Sequence, residues 1–121
     1  MNGAITTMIH QMNLHVRPFD MIASGQKTIE LRLYDEKRRV LQVGDTIEFT
    51  STDRDDARLC CEIVALHRFS SFEELYKTLP LLKCGYTAED VADASPADMD
   101  FYYTKEKQKA YGVLGIELKL I

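Results

Sequence analysis

Between Gly25 and Leu33 the chain reads Gly-Gln-Lys-Thr-Ile-Glu-Leu-Arg-Leu, and this alternation narrows the structures open to it. On a strand, successive side chains point to opposite faces. Ile29, Leu31 and Leu33 then share an apolar face, while Thr28, Glu30 and Arg32 share a polar one. Lys27 stands at the start of the strand, just after a glycine that closes the preceding segment. A hydroxyl, an acid and a guanidinium in a row, with an ammonium beside them, exceed what an ordinary solvated strand needs.

The flanking sequence supplies the rest of a small mixed domain. Residues 11–16 alternate polar and apolar and predict a strand. Pro18, the helical spacing of Phe19, Ile22 and Ala23, and the stop at Gly25 predict a short helix over about 18–24. The strand at 27–33 comes next. Tyr34 to Leu41 is polar and basic without a period and reads as an exposed loop. Residues 46–50 alternate into another strand, and Ser51 to Ala57 form a charged turn. Residues 58–69 read as one long strand, nearly continuous and with room for a bend. Ser70 to Glu74 looks like a helix entry, with a serine cap and acids in the first turn. Leu75, Tyr76 and Leu79 form that helix's apolar side, and Pro80 ends it. Short helical pieces are expected at Thr87–Asp90, after Ser95, and over Lys105–Tyr111, before a final strand over 112–121. Strands cluster instead of alternating with helices. That order predicts an α+β fold, a small mixed and partly closed β-barrel with helical insertions, over a doubly wound parallel sheet.

Composition bounds the function. The 121 residues suit one domain, and 45% hydrophobic content allows one core. We expect a loosely ordered tail over residues 1–9 and a single domain over residues 10–121. No apolar run is long enough for a transmembrane helix, and the N-terminus lacks the pattern of a signal peptide. Three cysteines, two of them adjacent, give neither a disulfide framework nor a metal spacing and suit a reduced, cytoplasmic protein. The formal net charge of −4 disfavours tight, sequence-independent binding to long nucleic acid. Only Lys37-Arg38-Arg39 is densely cationic. No cofactor and no metal is expected, because the three histidines lack a spacing that gathers ligands.

Two segments carry a resemblance. His15-Val16-Arg17-Pro18-Phe19-Asp20-Met21-Ile22 followed by Gly25-Gln26-Lys27-Thr28-Ile29-Glu30-Leu31-Arg32 resembles the ASCH domain family, whose members look like the PUA RNA-binding barrels. Gly44-Asp45-Thr46-Ile47-Glu48-Phe49, the stretch from Leu66 to Leu75, and Gly112-Val113-Leu114-Gly115-Ile116 extend it over most of the chain from about residue 10. The resemblance implies a barrel of five or six strands, a cleft beside the Lys27 strand, and a role around RNA or modified nucleosides. Some related small proteins are amidohydrolases that remove the acetyl group of N4-acetylcytidine with a Lys, a Thr nucleophile and a Glu. Lys27 matches the Lys, but Glu30 occupies the position of the Thr, and Thr28 lies two residues earlier. Glu73, Glu74 and Glu89 lie in the general region of the third residue.

The residues themselves leave several readings open. As a binding module, the barrel holds a nucleotide or a flipped-out base in a cleft formed by Lys27, Thr28, Glu30 and Arg32, with Arg38 and Arg39 on an RNA backbone. The acid would accept from a base amino group, and the guanidinium would grip a phosphate. As a hydrolase of a modified nucleoside or RNA, the domain would use Lys27 and Glu30 as its acid/base pair. As a structural barrel, its polar face would be only an ion-pair ladder. A His–carboxylate general base at His15 or His67 is conceivable. Tyr86, Phe101, Tyr102, Tyr103 and Tyr111 are expected mostly in the core, with one or two free to stack a base.

Overall fold

The computed structural model describes residues 7–121. Five strands form one mixed sheet: β1 (Ile9–Leu14), β2 (Ile29–Leu33), β3 (Thr46–Ser51), β4 (Arg58–Phe69) and β5 (Val113–Leu120), in the order β1-β3-β4-β5-β2. β1 pairs with β3 in parallel, and all other pairings are antiparallel. The four α-helices are α1 (Val16–Ala23), α2 (Glu36–Arg39), α3 (Phe72–Thr78) and α4 (Lys105–Tyr111). Three 3-10 turns, at Leu81–Lys83, Val91–Asp93 and Pro96–Phe101, fill the stretch between α3 and α4. No described helix is long and apolar enough to cross a membrane. The result is the expected α+β half-barrel, with five strands.

The sheet curls because β4 changes register between Ile63 and Ala65 as it passes along β5. An irregularity of this kind bends a strand and increases its twist. One face then closes on a core that includes Met12, Phe19, Ile22, Phe49, Ile63 and Ile116. The other face carries a second cluster, in which Ile29, Leu31, Leu33 and Val113 meet Phe72 and Leu75 of α3 and Met99. Directly opposed residues of an antiparallel pair share a face. Glu30 sits opposite Ile116 and Arg32 opposite Leu114. The polar face of β2 therefore points into the first, concave side of the half-barrel.

Several local expectations need correcting. The strand near residue 11 ends at Leu14, and Val16 already opens α1, because the Asp53 carboxylate accepts from the Val16 N–H at 2.8 Å. The polar stretch from Tyr34 to Leu41 is not a plain loop. Asp35 caps α2 by accepting from the Arg38 N–H, and Leu41 is buried in the core. A four-residue helix needs a cap and an anchor, not a visible period. Thr87–Asp90 does not form a helix, because the Asp90 carboxylate accepts from the Thr87 N–H at 2.6 Å and closes a turn that leads into Val91–Asp93. Of the expected tail, residues 1–6 lie outside the described residues, and Ile9 belongs to β1. Buried Asp45 ties the start of that strand to the β3 turn, accepting from the Met8 and Gln42 N–H groups and bonding His10 Nε2 at 2.8 Å.

Gly112 links α4 to β5 with φ +75° and ψ −174°. An added Cβ would stand 3.0 Å from the Phe69 carbonyl oxygen. Both the dihedrals and the fixed backbone neighbour demand glycine there. Gly112→Ala should lower stability by about 1–3 kcal/mol in urea denaturation. An unchanged midpoint would contradict this placement.

Candidate functional site

The concave side of β2 ends in a charged cluster. Glu30 is almost fully buried, and so is Lys27. Glu30 Oε1 lies 2.6 Å from Lys27 Nζ, and Oε2 accepts from Arg32 Nε at 2.6 Å. Arg32 Nη2 also donates to the Asn13 carbonyl at 2.8 Å. Asn13 is in β1 and Arg32 in β2, and these strands are the two edges of the sheet. One guanidinium thus bridges the open seam of the half-barrel, where the described strands form no backbone ladder.

Local backbone places the lysine. Gly25, at φ +84°, follows the end of α1. The Lys27 N–H then returns to the Met21 carbonyl at 3.0 Å. Its side chain runs along Gly85, which holds φ +112°. Burial acts to raise the Glu30 carboxyl, but the charges of Lys27 and Arg32 prevail and hold it at about 2. Two cations against one anion leave the cluster with one net positive charge.

This cluster forms the floor of a cleft of about 1010 Å³. His15 and Arg17 at the start of α1 stand on one side, with Tyr86, Asp90, Asp98 and Phe101 to Tyr103 around the rest. Tyr86 Oη donates to Asp98 Oδ2 at 2.6 Å and shares a 2.7 Å bond with Tyr76 Oη. Burial, then the bond to Asp98, keeps the Tyr86 phenol well above its ordinary range. Phe101 is 88% exposed and Tyr102 63%, with their rings edge-to-face at 5.3 Å. An exposed aromatic pair at a cleft mouth presents π surface left largely uncovered by the described residues.

The expected site residues divide. Lys27, Glu30 and Arg32 come together in the cleft. Thr28 lies before β2, bonded through its backbone to Lys83 and Leu118, and does not line the cleft. Arg38 pairs with Asp35 at 3.2 Å, while Arg39 donates to the Tyr34 carbonyl and lies over its ring; neither lines the cleft. Glu73, Glu74 and Glu89 are exposed and outside it. The acids that do line it, besides Glu30, are Asp90 and Asp98. His15 lines the mouth, whereas His67 pairs with Glu117 and His10 with Asp45 away from it. Among the described residues no group of three or more His, Cys, Asp or Glu could hold a metal ion.

The cleft wall includes no Ser or Thr among the described residues. Its one thiol, Cys84, is pushed by burial up to about 11 and so stays protonated. Sequence alone does not mark Arg17, Asp90 or Asp98 as cleft residues. The Ser95-Pro-Ala-Asp98 spacing is a readable capping box, and both of its bonds form. Nothing in the spacing of Arg17 and Asp90 announces that they meet.

Glu30 provides a pH test. Its folded pKa is below the ordinary carboxylate value of 4.5, so its contribution to stability is present above that value and is lost as pH falls toward about 2. Near neutrality, Glu30→Gln should cost about 3–5 kcal/mol in urea denaturation, because two buried cations lose their counter-charge. That gap should shrink between pH 4.5 and pH 2. A gap that stayed constant over this window would contradict the assignment.

Comparison with known proteins agrees with the fold. No curated protein matches the chain. Among solved structures, hypothetical protein PH0355 superposes with a TM-score of 0.77 at 28% identity, covering 95% of this chain and all of that one. Protein PF0455 from Pyrococcus furiosus gives 0.73 at 30% identity, covering 94% and 98%. ASCH from Zymomonas mobilis gives 0.62 at 16% identity over 92% of this chain and 66% of its own, a likeness of fold alone. The ASCH domain family model matches residues 12–121. With a PUA-like half-barrel and that match over nearly its whole length, the chain belongs to the ASCH domain family.

Proposed function

We propose that this domain binds single-stranded RNA or a nucleotide and holds one base in the cleft above Lys27, Glu30 and Arg32. The ASCH domain is a PUA-like fold generally thought to bind RNA. The observation that carries the finer reading is the buried cluster with a net positive charge at the cleft floor. Its ammonium keeps donors beyond the one aimed at Glu30, and such a group suits an electron-rich base oxygen. The exposed Phe101–Tyr102 pair suits a base stacked at the rim. The acidic body favours a short or extruded element over a long duplex.

The alternative is a hydrolase of a modified nucleoside, with Lys27 and Glu30 as its acid/base pair. Glu30 has both oxygens engaged by cations and a pKa of about 2. A general base works best with a pKa near the operating pH. The wall also lacks a Ser or Thr nucleophile among the described residues. Both features favour binding.

Fluorescence anisotropy with a labelled single-stranded hexaribonucleotide tests the reading. Phe101→Ala, at an exposed position, should weaken binding by about 5- to 100-fold, the equivalent of roughly 1–3 kcal/mol for one stacked base. Lys27→Gln should weaken it as well. Equal affinity of wild type and both variants would remove the proposal. Turnover of N4-acetylcytidine by wild type would favour the alternative.

A further inference from the structure

An ion pair spans the cleft mouth. Arg17 belongs to α1, and Asp90 lies 73 positions later, in the turn before Val91–Asp93. Their closest atoms, Nη2 and Oδ2, are 3.5 Å apart; the Arg17 side chain is largely exposed and that of Asp90 partly so. That separation is long for a charge-assisted hydrogen bond. Exposed pairs of this kind contribute little, about 0–1 kcal/mol. The pair is therefore easily broken.

Its two members differ in what remains after breaking. Asp90 keeps its turn, because its other oxygen, Oδ1, accepts from the Thr87 N–H at 2.6 Å. That bond also holds the Asp90 carboxyl below its ordinary range, so the side chain stays ionised. Arg17 makes no other side-chain hydrogen bond among the described residues. Deeper in the cleft, Lys27 and Arg32 are already engaged with Glu30. Arg17 is thus the wall cation at the mouth that can be given over to a ligand.

We infer that Arg17 is the phosphate contact of the bound ligand, and that Asp90 is an internal competitor which the ligand's phosphodiester must displace from it. This rests on the nucleic-acid reading above and extends it to a new residue pair. A phosphate offers the guanidinium fork two oxygens at proper bonding distance, which Asp90 does not. Once displaced, the Asp90 carboxylate stands beside the phosphate and repels it. Arg17 therefore favours ligands that bring both a base for the floor and a phosphate for the rim over free nucleosides, and Asp90 reduces that preference.

Opposite effects are expected from the two halves of one ion pair. With the labelled hexaribonucleotide, Arg17→Ala should weaken binding about tenfold. It should also flatten the slope of log affinity against log salt by about 0.7, one phosphate contact on a single strand. Asp90→Asn should tighten binding while keeping the wild-type slope. A merely structural ion pair predicts that both variants behave alike. If wild type binds but Arg17→Ala leaves the slope unchanged, or Asp90→Asn weakens binding, the inference is overturned and the RNA reading stands. If wild type does not bind the oligonucleotide, both fall together.

Discussion

The carboxylate of Glu30, clamped between Lys27 and Arg32, is the interaction on which the rest of the structure depends. Among the described residues, a half-barrel of five strands leaves two sheet edges without a strand partner. Arg32 spans them at one point by donating to Glu30 on its own strand and to the Asn13 carbonyl on the other edge. Burying an arginine that is bonded only to a carbonyl would be expensive, and Glu30 offsets that cost. Burying a glutamate with one cation would leave half of its oxygens unsatisfied, and Lys27 completes it. Removing any one member strands charge in a poorly solvated place, which is why the cluster acts as a unit.

The same arrangement sets what the cleft can do. A carboxylate bound to two cations is a weak proton acceptor but a good orienting group. It fixes the positions of an ammonium and a guanidinium before any ligand arrives, so a bound molecule need not order them. The floor is positive, the rim aromatic, and the mouth is crossed by a weak ion pair. The body of the domain remains acidic. Together these features support the proposed reading, a receptor for a small polyanionic, base-bearing element, over a scaffold for long nucleic acid.

Much of this was legible in the sequence. Alternation placed Glu30 and Arg32 on one face, and the glycine stop placed Lys27 next to them. The long strand at 58–69 and the final strand were visible from their β-rich runs. The features that escaped detection depended on contacts remote in sequence. α2 forms because Asp35 caps it and buried Leu41 anchors its exit, although its four residues carry no periodic signal. One or two free aromatics are expected, but not which: the 3-10 turn at Pro96–Phe101 brings Phe101 and Tyr102 to the surface while burying Met99. Lys37-Arg38-Arg39 stands out as the one dense cationic run. In the fold Arg38 and Arg39 are occupied by Asp35 and Tyr34, and the rim cation is the solitary Arg17. Charge density along a chain is thus a poor guide to charge density across a cleft.

The most direct measurement is side-chain nitrogen NMR of the lysine ammonium and arginine Nε groups during titration with the single-stranded hexaribonucleotide. The account predicts that the Lys27 Nζ and Arg32 Nε signals, slowed in exchange by their bonds to Glu30, shift in step with binding. Shifts confined to Lys37 and Arg39, with Lys27 and Arg32 unmoved at saturation, would contradict it.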